Sequence, residues 1–251
     1  MRWDIAILSE PGERENNEDC VAVTSGDAGI CTVLCDGLGG HDAGEVASKC
    51  VCDSVTAAFE KAPEGADIGE LVCELLQNAQ DELMKMQIEL DKQNGMKTTA
   101  CCLLIQDGKT AAAYVGDSRI YQFRKNKVLL RSSDHSIPQY LVNIGEIKER
   151  DIRHHPDRNK LLRVMGSEWE TPRYQRLKLE EPVCGDAFLL CTDGFWEWIE
   201  EKDMERFLKR TSCSEEWLNT MKKFIYARGR GNRMDNLSAI AIMRVEGDDD
   251  G

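Results

Sequence analysis

Short apolar runs alternate with longer stretches of helically spaced apolar residues along this chain of 251 residues. Near the start, apolar and β-branched residues cluster at residues 5–8, 21–24 and 30–35, and the turn-forming pairs Pro11-Gly12 and Gly26-Asp27 interrupt them. Runs of this length between such breakers are typical of β-strands. The sequence therefore predicts that the chain opens with three strands.

The next part of the chain has the spacing of helices. Apolar residues recur at intervals of three and four over Ala43–Phe59 and again over residues 68–90, which predicts two long amphipathic helices. These positions are Val46, Val51, Val55, Phe59, Leu71, Leu75, Leu76, Leu83 and Met86.

A second group of strands follows these helices. The predicted strands, expected to form a meander, lie at residues 99–106, 110–115, 120–124 and 128–131. Asp107-Gly108 and residues 125–127 have the composition of the turns between them. Residues 134–170 are polar and predict loops and short helices rather than sheet.

The last part of the chain returns to strands and helices. The predicted elements are strands at residues 174–179, Ala187–Cys191 and Leu237–Val245 and helices at residues 200–209 and 215–228. Runs of strands separated by paired helices favour an α+β sandwich of antiparallel sheets over a parallel βαβ fold.

The composition predicts one domain, because neither proline nor glycine accumulates between the periodic segments as it does in linkers. The apolar fraction of 41% is enough for a sizeable core. We expect a single domain over residues 1–246 and a solvated acidic tail at residues 247–251.

Charge and cysteine content exclude several classes of protein. The chain has 45 acidic and 32 basic residues and a formal net charge of −13, which disfavours nucleic acid or an anionic membrane as the main partner. It has neither a run of ~18 apolar residues nor the pattern of a signal peptide, so we expect a cytosolic protein without a membrane span. Most of the eleven cysteines lie in apolar runs and are expected to pack as small hydrophobic residues.

Four aspartates lie where predicted buried strands begin or end, and they suggest a shared site. They are Asp36, Asp117, Asp193 and Asp235. Carboxylates held close together either raise one another's pKa or bind cations, and a set of oxygen ligands selects hard ions such as Mg²⁺ or Mn²⁺. The sequence therefore indicates a metal-dependent enzyme, although this spacing alone does not separate a phosphatase from a nuclease or a structural ion site.

The pairs Asp36-Gly37 and Asp193-Gly194 repeat one arrangement, in which a glycine after the carboxylate lets the backbone approach a bound ion. A single pair is more often explained by a tight turn, but two pairs after apolar strands favour the metal. Two hard ions can activate a shared water for phosphoester hydrolysis. Arg14 is a candidate to bind the phosphate, because guanidinium matches phosphate in a bidentate way.

The order of these and other motifs resembles the PPM (type 2C) metal-dependent protein serine/threonine phosphatases, specifically their compact bacterial branch. The resemblance extends from about residue 3 to 245 and rests on an ordered set of motifs rather than on one. The matching segments are Arg14–Asp19, Leu34–Ser48, Thr98-Thr99, Val115–Tyr121, Ser133–Ser136, residues 141–147, His155-Pro156, Asn159–Gly166, Cys191–Gly194 and Asp235–Ser238.

This resemblance implies a fold and a metal centre. The fold would be a four-layer α-β-β-α sandwich, with two antiparallel sheets flanked by helix pairs and the metals at one end. Asp36 would bridge two Mn²⁺ or Mg²⁺ ions, the Gly37 carbonyl would complete one coordination shell, and Asp193 and Asp235 would bind the other ion.

The resemblance also implies roles for the surrounding residues. Glu18 and Asp19 would act on the metals through water or directly, and Arg14 would hold the substrate phosphate. Asp117, together with Asp193, corresponds to a third and weaker metal site. Residues 136–167 correspond to the mobile flap beside the active site, which bears on substrate choice.

The chain departs from the family pattern in a few places. Leu38 stands where eukaryotic members have a histidine proposed as general acid, so the identity of the acid is open; His41 is a candidate, with capping or support of the site as the alternative. Lys97 and Thr192 replace a usual glycine and serine. His135 is expected to be structural.

The leading hypothesis is a protein serine/threonine phosphatase that hydrolyses phosphoserine and phosphothreonine with a water activated by two Mn²⁺ or Mg²⁺ ions. Its implied partners are phosphorylated proteins and a cognate Ser/Thr protein kinase. A phosphatase-like binding module that has lost catalysis is the alternative from another class, although no metal carboxylate is missing. A two-metal nuclease would need a basic track for the polymer, and the sequence shows none.

Overall fold

Two antiparallel sheets form the centre of the protein in the computed structural model, which describes residues 2–39, 43–92 and 95–246. The first sheet contains, in spatial order, β1 (Arg2–Glu10), β11 (Leu237–Val245), β10 (Ala187–Cys191), β7 (Arg119–Arg124) and β8 (Lys127–Arg131). The second contains β2 (Asp19–Gly26), β3 (Gly29–Leu38), β5 (Ala100–Gln106), β6 (Lys109–Val115) and β9 (Gln175–Leu177), and the short β4 (Lys97–Thr98) pairs with the end of β3.

Helices cover the outer face of each sheet. The described helices are α1 (Ala43–Phe59), α2 (Ile68–Glu89), α3 (Ile137–Asn143), α4 (Asp193–Trp196), α5 (Glu201–Leu208) and α6 (Ser214–Gly229), and a 3₁₀ turn spans Glu149–His154. The pair α1 and α2 packs on the second sheet, while α5 contacts β8 and α6 packs on β1 and β11.

The two sheets and the helices on their outer faces form four layers, and three apolar clusters lie between them. One lies between α1, α2 and the second sheet, one between the two sheets, and one between the first sheet and helices α4, α5 and α6. The middle layer includes Leu34, Leu103, Tyr114, Phe188 and Ile240. The structure therefore confirms the predicted α+β, four-layer α-β-β-α sandwich.

Local sequence explains where several elements begin and turn. Asp67 caps α2, because its carboxylate accepts hydrogen bonds from the N–H groups of Gly69 (2.8 Å) and Glu70 (3.1 Å). The hairpin turn at Asp107 and Gly108 has positive φ at both residues, as its Asp-Gly composition predicts.

The predicted strands and helices are present with shifts of a few residues at their ends, but the predicted meander is wrong. The hairpin β5–β6 belongs to the second sheet and the hairpin β7–β8 to the first. The chain crosses between the sheets at Gly116, Asp117 and Ser118, so that Tyr114 at the end of β6 and Ile120 on β7 enter the same middle layer from opposite sheets. This crossing places Asp117 between the two sheets.

The cysteines pack as the sequence predicted. All eleven are free thiols, and most are buried in the apolar layers. Burial raises the pKa of the Cys35 and Cys101 thiols, so these side chains stay protonated and unreactive.

Two further expectations concern the whole chain. No helix in the described ranges is both long and apolar enough to cross a membrane. The acidic tail predicted at residues 247–251 lies outside the described residues, and the boundary between domain and tail stays a prediction.

Candidate active site

A polar cleft of about 570 Å³ opens where both sheets end on one side of the sandwich. Asp36 comes from the second sheet, Asp193 and Asp235 come from the ends of β10 and β11 in the first, and Asp117 lies on the crossing between the sheets. The predicted site residues that line this cleft are Arg14, Glu18, Asp36, Gly37, Asp117, Asp193 and Asp235. Asp19 is buried and does not line it.

Strand pairing brings the first two carboxylates together. Asp19, at the start of β2, is the register partner of Asp36 near the end of β3. The Asp36 backbone N–H donates to Thr99 Oγ1 (2.9 Å), and Thr98 Oγ1 donates to the Asp36 carbonyl (2.8 Å). These two threonines therefore hold the end of β3 in place at the cleft.

The crossing between the sheets is fixed from two sides. The hydroxyls of Thr99 and Ser118 are 2.7 Å apart and hydrogen bonded to each other. Trp196 Nε1 donates to the Asp117 carbonyl at 3.0 Å. Because Trp196 lies on the short helix α4 that begins with Asp193, the positions of Asp117 and Asp193 are linked through one side chain.

The two Asp-Gly pairs owe their glycines to neighbouring backbone. A Cβ atom on Gly194 would lie 2.1 Å from the Asn236 carbonyl oxygen, and one on Gly37 would lie 2.3 Å from the Gly44 carbonyl oxygen. A side chain at Gly194 would therefore push the ends of β10 and β11 apart, and one at Gly37 would push β3 away from the start of α1. The sequence identified the right glycines, but the structure shows that close packing of protein backbone already requires them.

Asn236, just before β11, forms hydrogen bonds with the loop between β1 and β2. Its side-chain amide donates to the carbonyls of Pro11 (3.0 Å) and Asn16 (2.9 Å), and its Oδ1 accepts from the Glu18 N–H at 2.8 Å. This places the loop before β2 over Asp235. Arg14 from that loop then donates to Asp235 at 2.7 Å.

The carboxylates of the cleft are poorly compensated by the protein. Burial raises the pKa of Asp36 well above its usual value, and the charges of Asp19, Asp193, Asp117 and Asp235 raise it further. Burial and the Asp193 charge likewise raise the pKa of Asp117. The same kind of environment raises the pKa of Asp193 to about 7 and that of Asp19 to about 8, with burial as the main cause in both.

Arg14 and Thr192 provide only partial compensation. The hydrogen bond with Asp235 raises the pKa of Arg14, which keeps its positive charge at the rim of the cleft. Thr192 Oγ1 donates to Asp19 Oδ2 at 3.0 Å, but the buried Asp19 Oδ1 has no hydrogen-bond partner among the described residues. A buried carboxylate oxygen without a partner is unfavourable unless a ligand binds it.

The composition of the cleft fits hard divalent cations. Its candidate ligands are oxygens only, and burial together with neighbouring carboxylates raises the pKa of Asp36 and of Asp117, so a bound cation would stabilise their charged forms. Within the described ranges, however, no three Asp, Glu, His or Cys side chains are arranged as a preformed metal cage.

The structure places further residues at the cleft to which the sequence patterns gave no individual role. Asn159 and Leu161, from the segment predicted as the flap, line the cleft, and so does Arg233. Arg158 of the same segment forms an ion pair with Glu197, directly after α4 (2.5 Å). Arg233 lies two residues before Asp235 in the sequence. This proximity to a predicted metal ligand was the signal that could have identified it.

A second group of charges lies buried behind the cleft, and we call it the Arg119 cluster. Arg119 Nε and Nη2 donate to the two oxygens of Asp134 at 2.9 and 2.7 Å, and both side chains are 1% exposed. The Arg119 guanidinium stacks on the Trp196 ring at 3.6 Å, and Tyr121 and Glu201 complete the cluster. Burial alone would lower the pKa of Arg119, but Asp134 raises it well above its usual value.

No histidine among the described residues lines the cleft. His135 Nδ1 accepts from the Gly116 N–H at 3.2 Å and its ring stacks on Tyr114, so it supports the crossing structurally, as expected. His41, the candidate general acid, lies outside the described residues. Leu38 lines the cleft in the place where a histidine occurs in eukaryotic members of the resembled family.

Comparisons with known proteins identify relatives of this chain. The chain is 30% identical over 237 residues to the serine/threonine phosphatase Stp of Listeria welshimeri, covering 92% of this chain and 91% of that protein. It is 28% identical over 236 residues to the serine/threonine protein phosphatase PstP of Mycobacterium tuberculosis, covering 94% of this chain but only 43% of that protein. The chain thus spans less than half the length of PstP.

Solved structures show the same architecture. A crystal structure of M. tuberculosis PstP superposes with a TM-score of 0.83 at 26% identity, covering 97% of this chain and 99% of that chain. A structure of the PstP catalytic domain in complex with two manganese ions has a TM-score of 0.81 at 24% identity, covering 97% and 99% of the two chains.

The family comparison matches most of the chain. The family model described as protein phosphatase 2C matches residues 12–225, which include Arg14, Glu18, Asp36, Asp117 and Asp193. Together with the ordered motifs and the four-layer sandwich, this match shows that the chain belongs to the protein phosphatase 2C (PPM) family.

Proposed function

We propose that the protein is a serine/threonine protein phosphatase that hydrolyses phosphoserine and phosphothreonine in proteins with the help of two Mn²⁺ or Mg²⁺ ions. The observation that carries this proposal is the group of carboxylates with raised pKa values in one cleft that also holds Arg14. A cleft with excess negative charge cannot accept a phosphate dianion unless cations neutralise that charge first.

The residues that would hold the ions are assigned by the family resemblance, and their common position at the cleft supports this assignment. Asp36, near the end of β3 in the second sheet, would bridge both ions, with the Gly37 carbonyl on one of them. Asp193 and Asp235 would bind the other ion. Divalent ions in such a site supply charge neutralisation for the phosphoryl group and lower the pKa of a water that attacks phosphorus.

The remaining carboxylates would support this centre. Glu18 lies in the cleft and Asp19 directly beneath it, so both would act on the ions through water or directly. Asp117, on the crossing, would belong with Asp193 to a third and weaker ion site.

The side chains of this protein also bind and orient the substrate. The Asp235 carboxylate holds the Arg14 guanidinium at the rim of the cleft, where its N–H groups can pair with phosphate oxygens. Thr192 and Thr99 hold Asp19 and the Asp36 backbone in fixed positions through hydrogen bonds. This arrangement orients the carboxylates before a substrate binds.

The comparisons support this proposal through the names of the relatives. Stp and PstP are both named serine/threonine phosphatases, and the PstP catalytic domain is described with two manganese ions. We extend these properties to this chain as a proposal, with phosphorylated proteins as substrates and a Ser/Thr protein kinase as the enzyme that supplies them.

The test is release of phosphate from a phosphothreonine peptide with and without Mn²⁺. The wild-type protein should be active only with the ion, and Asp36→Asn and Asp193→Asn should each lose more than the ~10–100-fold typical of losing a group that only supports a ligand. Asp53→Asn, on the exposed face of α1, serves as the matched control and should stay active. Undiminished activity in both cleft variants would overturn the proposal.

A further inference from the structure

A basic groove lies at one end of the first sheet, and the carboxylate cleft lies at the other end of the same strands. It has a volume of about 560 Å³ and is formed by the β7–β8 turn and helix α5. Its lining residues are Lys125, Asn126, Lys127, Lys202, Glu205, Arg206, Lys209 and Arg210. Six of these eight residues are cations and one is a carboxylate, although the formal net charge of the chain is −13.

The single carboxylate of the groove is already engaged. Glu205 Oε2 pairs with Lys127 Nζ at 2.6 Å, and Glu205 Oε1 accepts from the Val128 N–H at 3.0 Å. The side chain of Glu205 is only 17% exposed. Glu205 therefore fastens the hairpin to α5 and fixes the shape of the groove.

Three cations of the groove are not neutralised by the protein. Lys202 pairs with Glu200 (2.7 Å) and Arg206 with Asp203 (2.9 Å). In the part of the chain that the structure describes, no carboxylate pairs with the exposed side chains of Lys125, Lys209 and Arg210. Three adjacent unpaired cations attract anions from solution.

Helix electrostatics explain only part of this cluster. Lys209 and Arg210 follow the last residue of α5, where cations interact favourably with the helix dipole. Lys125 belongs to another element and has φ of 53°, a backbone conformation that favours glycine or asparagine. A lysine at this position is unfavourable for the turn itself, so its charge needs another explanation.

We propose that the basic groove is a docking site for an acidic segment of a partner protein. The partner would be a phosphoprotein substrate, and this assignment rests on the proposed phosphatase function. An acidic peptide fits better than a nucleic acid, because none of the lining residues is aromatic and thus able to stack on bases. A long polyanion would also be repelled by the rest of this acidic protein, whereas a short segment contacts only the groove.

The distance to the cleft defines which substrates could use both sites. Strand β7 runs from Arg119, two residues after Asp117, to Arg124, which directly precedes Lys125. At a rise of about 3.3 Å per residue, the groove lies roughly 20 Å from the cleft. The acidic segment must therefore be separated from the phosphorylated residue by a linker that can span this distance.

Direct binding tests the groove without any phosphatase activity. Fluorescence anisotropy would measure binding of a labelled, unphosphorylated aspartate-rich peptide to the full chain. The triple variant Lys125→Asn, Lys209→Gln, Arg210→Gln should weaken binding about tenfold, and raising NaCl from ~0.05 to ~0.3 M should weaken binding to the wild type. Lys125→Asn keeps a residue type suited to positive φ.

A second triple variant controls for net charge alone. Lys61→Gln, Lys223→Gln, Arg230→Gln removes the same charge from exposed positions outside the groove, and it should bind the peptide like the wild type. Equal loss in both triple variants, or no loss in the groove variant, would overturn the docking site. Tighter binding of a single-stranded oligonucleotide than of the peptide would also overturn it.

Peptide hydrolysis tests the link to substrates. Phosphothreonine peptides would carry the acidic segment after a Gly/Ser linker of about 4 or about 16 residues, since only the longer coil reaches about 20 Å. The longer linker should lower KM in the wild type but not in the groove variant, with kcat unchanged. An identical KM for both linkers would overturn the substrate assignment. Absence of hydrolysis in every protein would refute the phosphatase function instead, while anisotropy still decides the groove.

Discussion

The carboxylate cleft and the Arg119 cluster lie at the same end of the sandwich, and both remove charged groups from water, but they differ in how far the protein pairs those charges. In the Arg119 cluster, one guanidinium meets both oxygens of Asp134 and a tryptophan ring. In the cleft, burial and mutual repulsion raise the pKa values of Asp36 and Asp117, and the Arg14 guanidinium pairs with Asp235 at the rim.

This difference separates charges that stabilise the fold from charges that bind something. A buried ion pair with complete hydrogen bonding is a structural element, because its charges already have partners. Uncompensated carboxylates in an open cleft are unfavourable in the absence of a ligand and become favourable when cations bind. Trp196 connects the two regions, since it stacks on Arg119 and donates to the Asp117 carbonyl.

The largest effect on stability should come from breaking the Arg119 cluster. Arg119→Met leaves Asp134 buried without its partner and should lower the free energy of unfolding by about 3–5 kcal/mol. Urea unfolding measures this change. The double variant Arg119→Met, Asp134→Leu should recover most of the loss, because both charges are then absent. If the double variant is as unstable as Arg119→Met, loss of the Arg119–Asp134 ion pair does not explain the lower stability.

Removing a charge from the cleft should raise the free energy of unfolding, whereas Arg119→Met lowers it. Asp36→Asn removes a carboxylate that burial and neighbouring charges disfavour. In EDTA this variant should be more stable than the wild type by about 1–3 kcal/mol, the magnitude associated with one uncompensated buried polar group. Lower stability of Asp36→Asn in EDTA would show that the cleft carboxylates are compensated after all.

Metal-free stability should also depend on pH. The folded-state pKa of Asp19 is raised to about 8 and that of Asp193 to about 7, from 3.8. Between these limits the folded state binds more protons than the unfolded state, so stability in EDTA should fall as pH rises from about 4 to about 8. Arg119 keeps its charge over this range and adds no slope. Urea titrations of wild type and Asp19→Asn at several pH values should show a smaller fall in the variant.

Asp117 should have a smaller effect on catalysis than Asp36. If it belongs to a third and weaker ion site, Asp117→Asn should slow turnover about tenfold while two Mn²⁺ ions still bind. Calorimetry gives the stoichiometry, and phosphopeptide hydrolysis gives the rate. Loss of both strongly bound ions in this variant would show that the carboxylates do not divide their roles in this way.

The smallest effect should come from an exposed ion pair. Lys49 and Asp53 on α1 are 3.0 Å apart, but their side chains are 68% and 64% exposed. Solvent screens such a pair, so Lys49→Gln should unfold at the same urea concentration as the wild type. A clear shift of the urea midpoint would mean that an ion pair stabilises this protein even when it is exposed. Burial would then not be the reason why the Arg119 ion pair matters for stability.

Sequence patterns were most successful where the signal is local. The bounds of α1, β10 and β11 follow the predicted ones closely, because apolar periodicity over one element reflects which face that element buries. The candidate cleft residues were also found, since they lie in an ordered set of family motifs. Glu197 lies outside the matching motifs, and the contacts that Thr99 and Thr192 make with Asp36 and Asp19 depend on neighbours distant in sequence, so no local pattern predicted them.

The sequence by itself determined the strands, the helices, the carboxylates and the family, because these depend on short-range periodicity or on motifs read in order. Only the tertiary structure decided that the two central hairpins belong to different sheets and that Asp117 lies on the crossing between them. It also decided that Arg14 meets Asp235, 221 residues away, and that cations from a turn and a helix form one groove. Such contacts arise when apolar layers pack together, and neither residue of a distant pair carries a local sign of its partner.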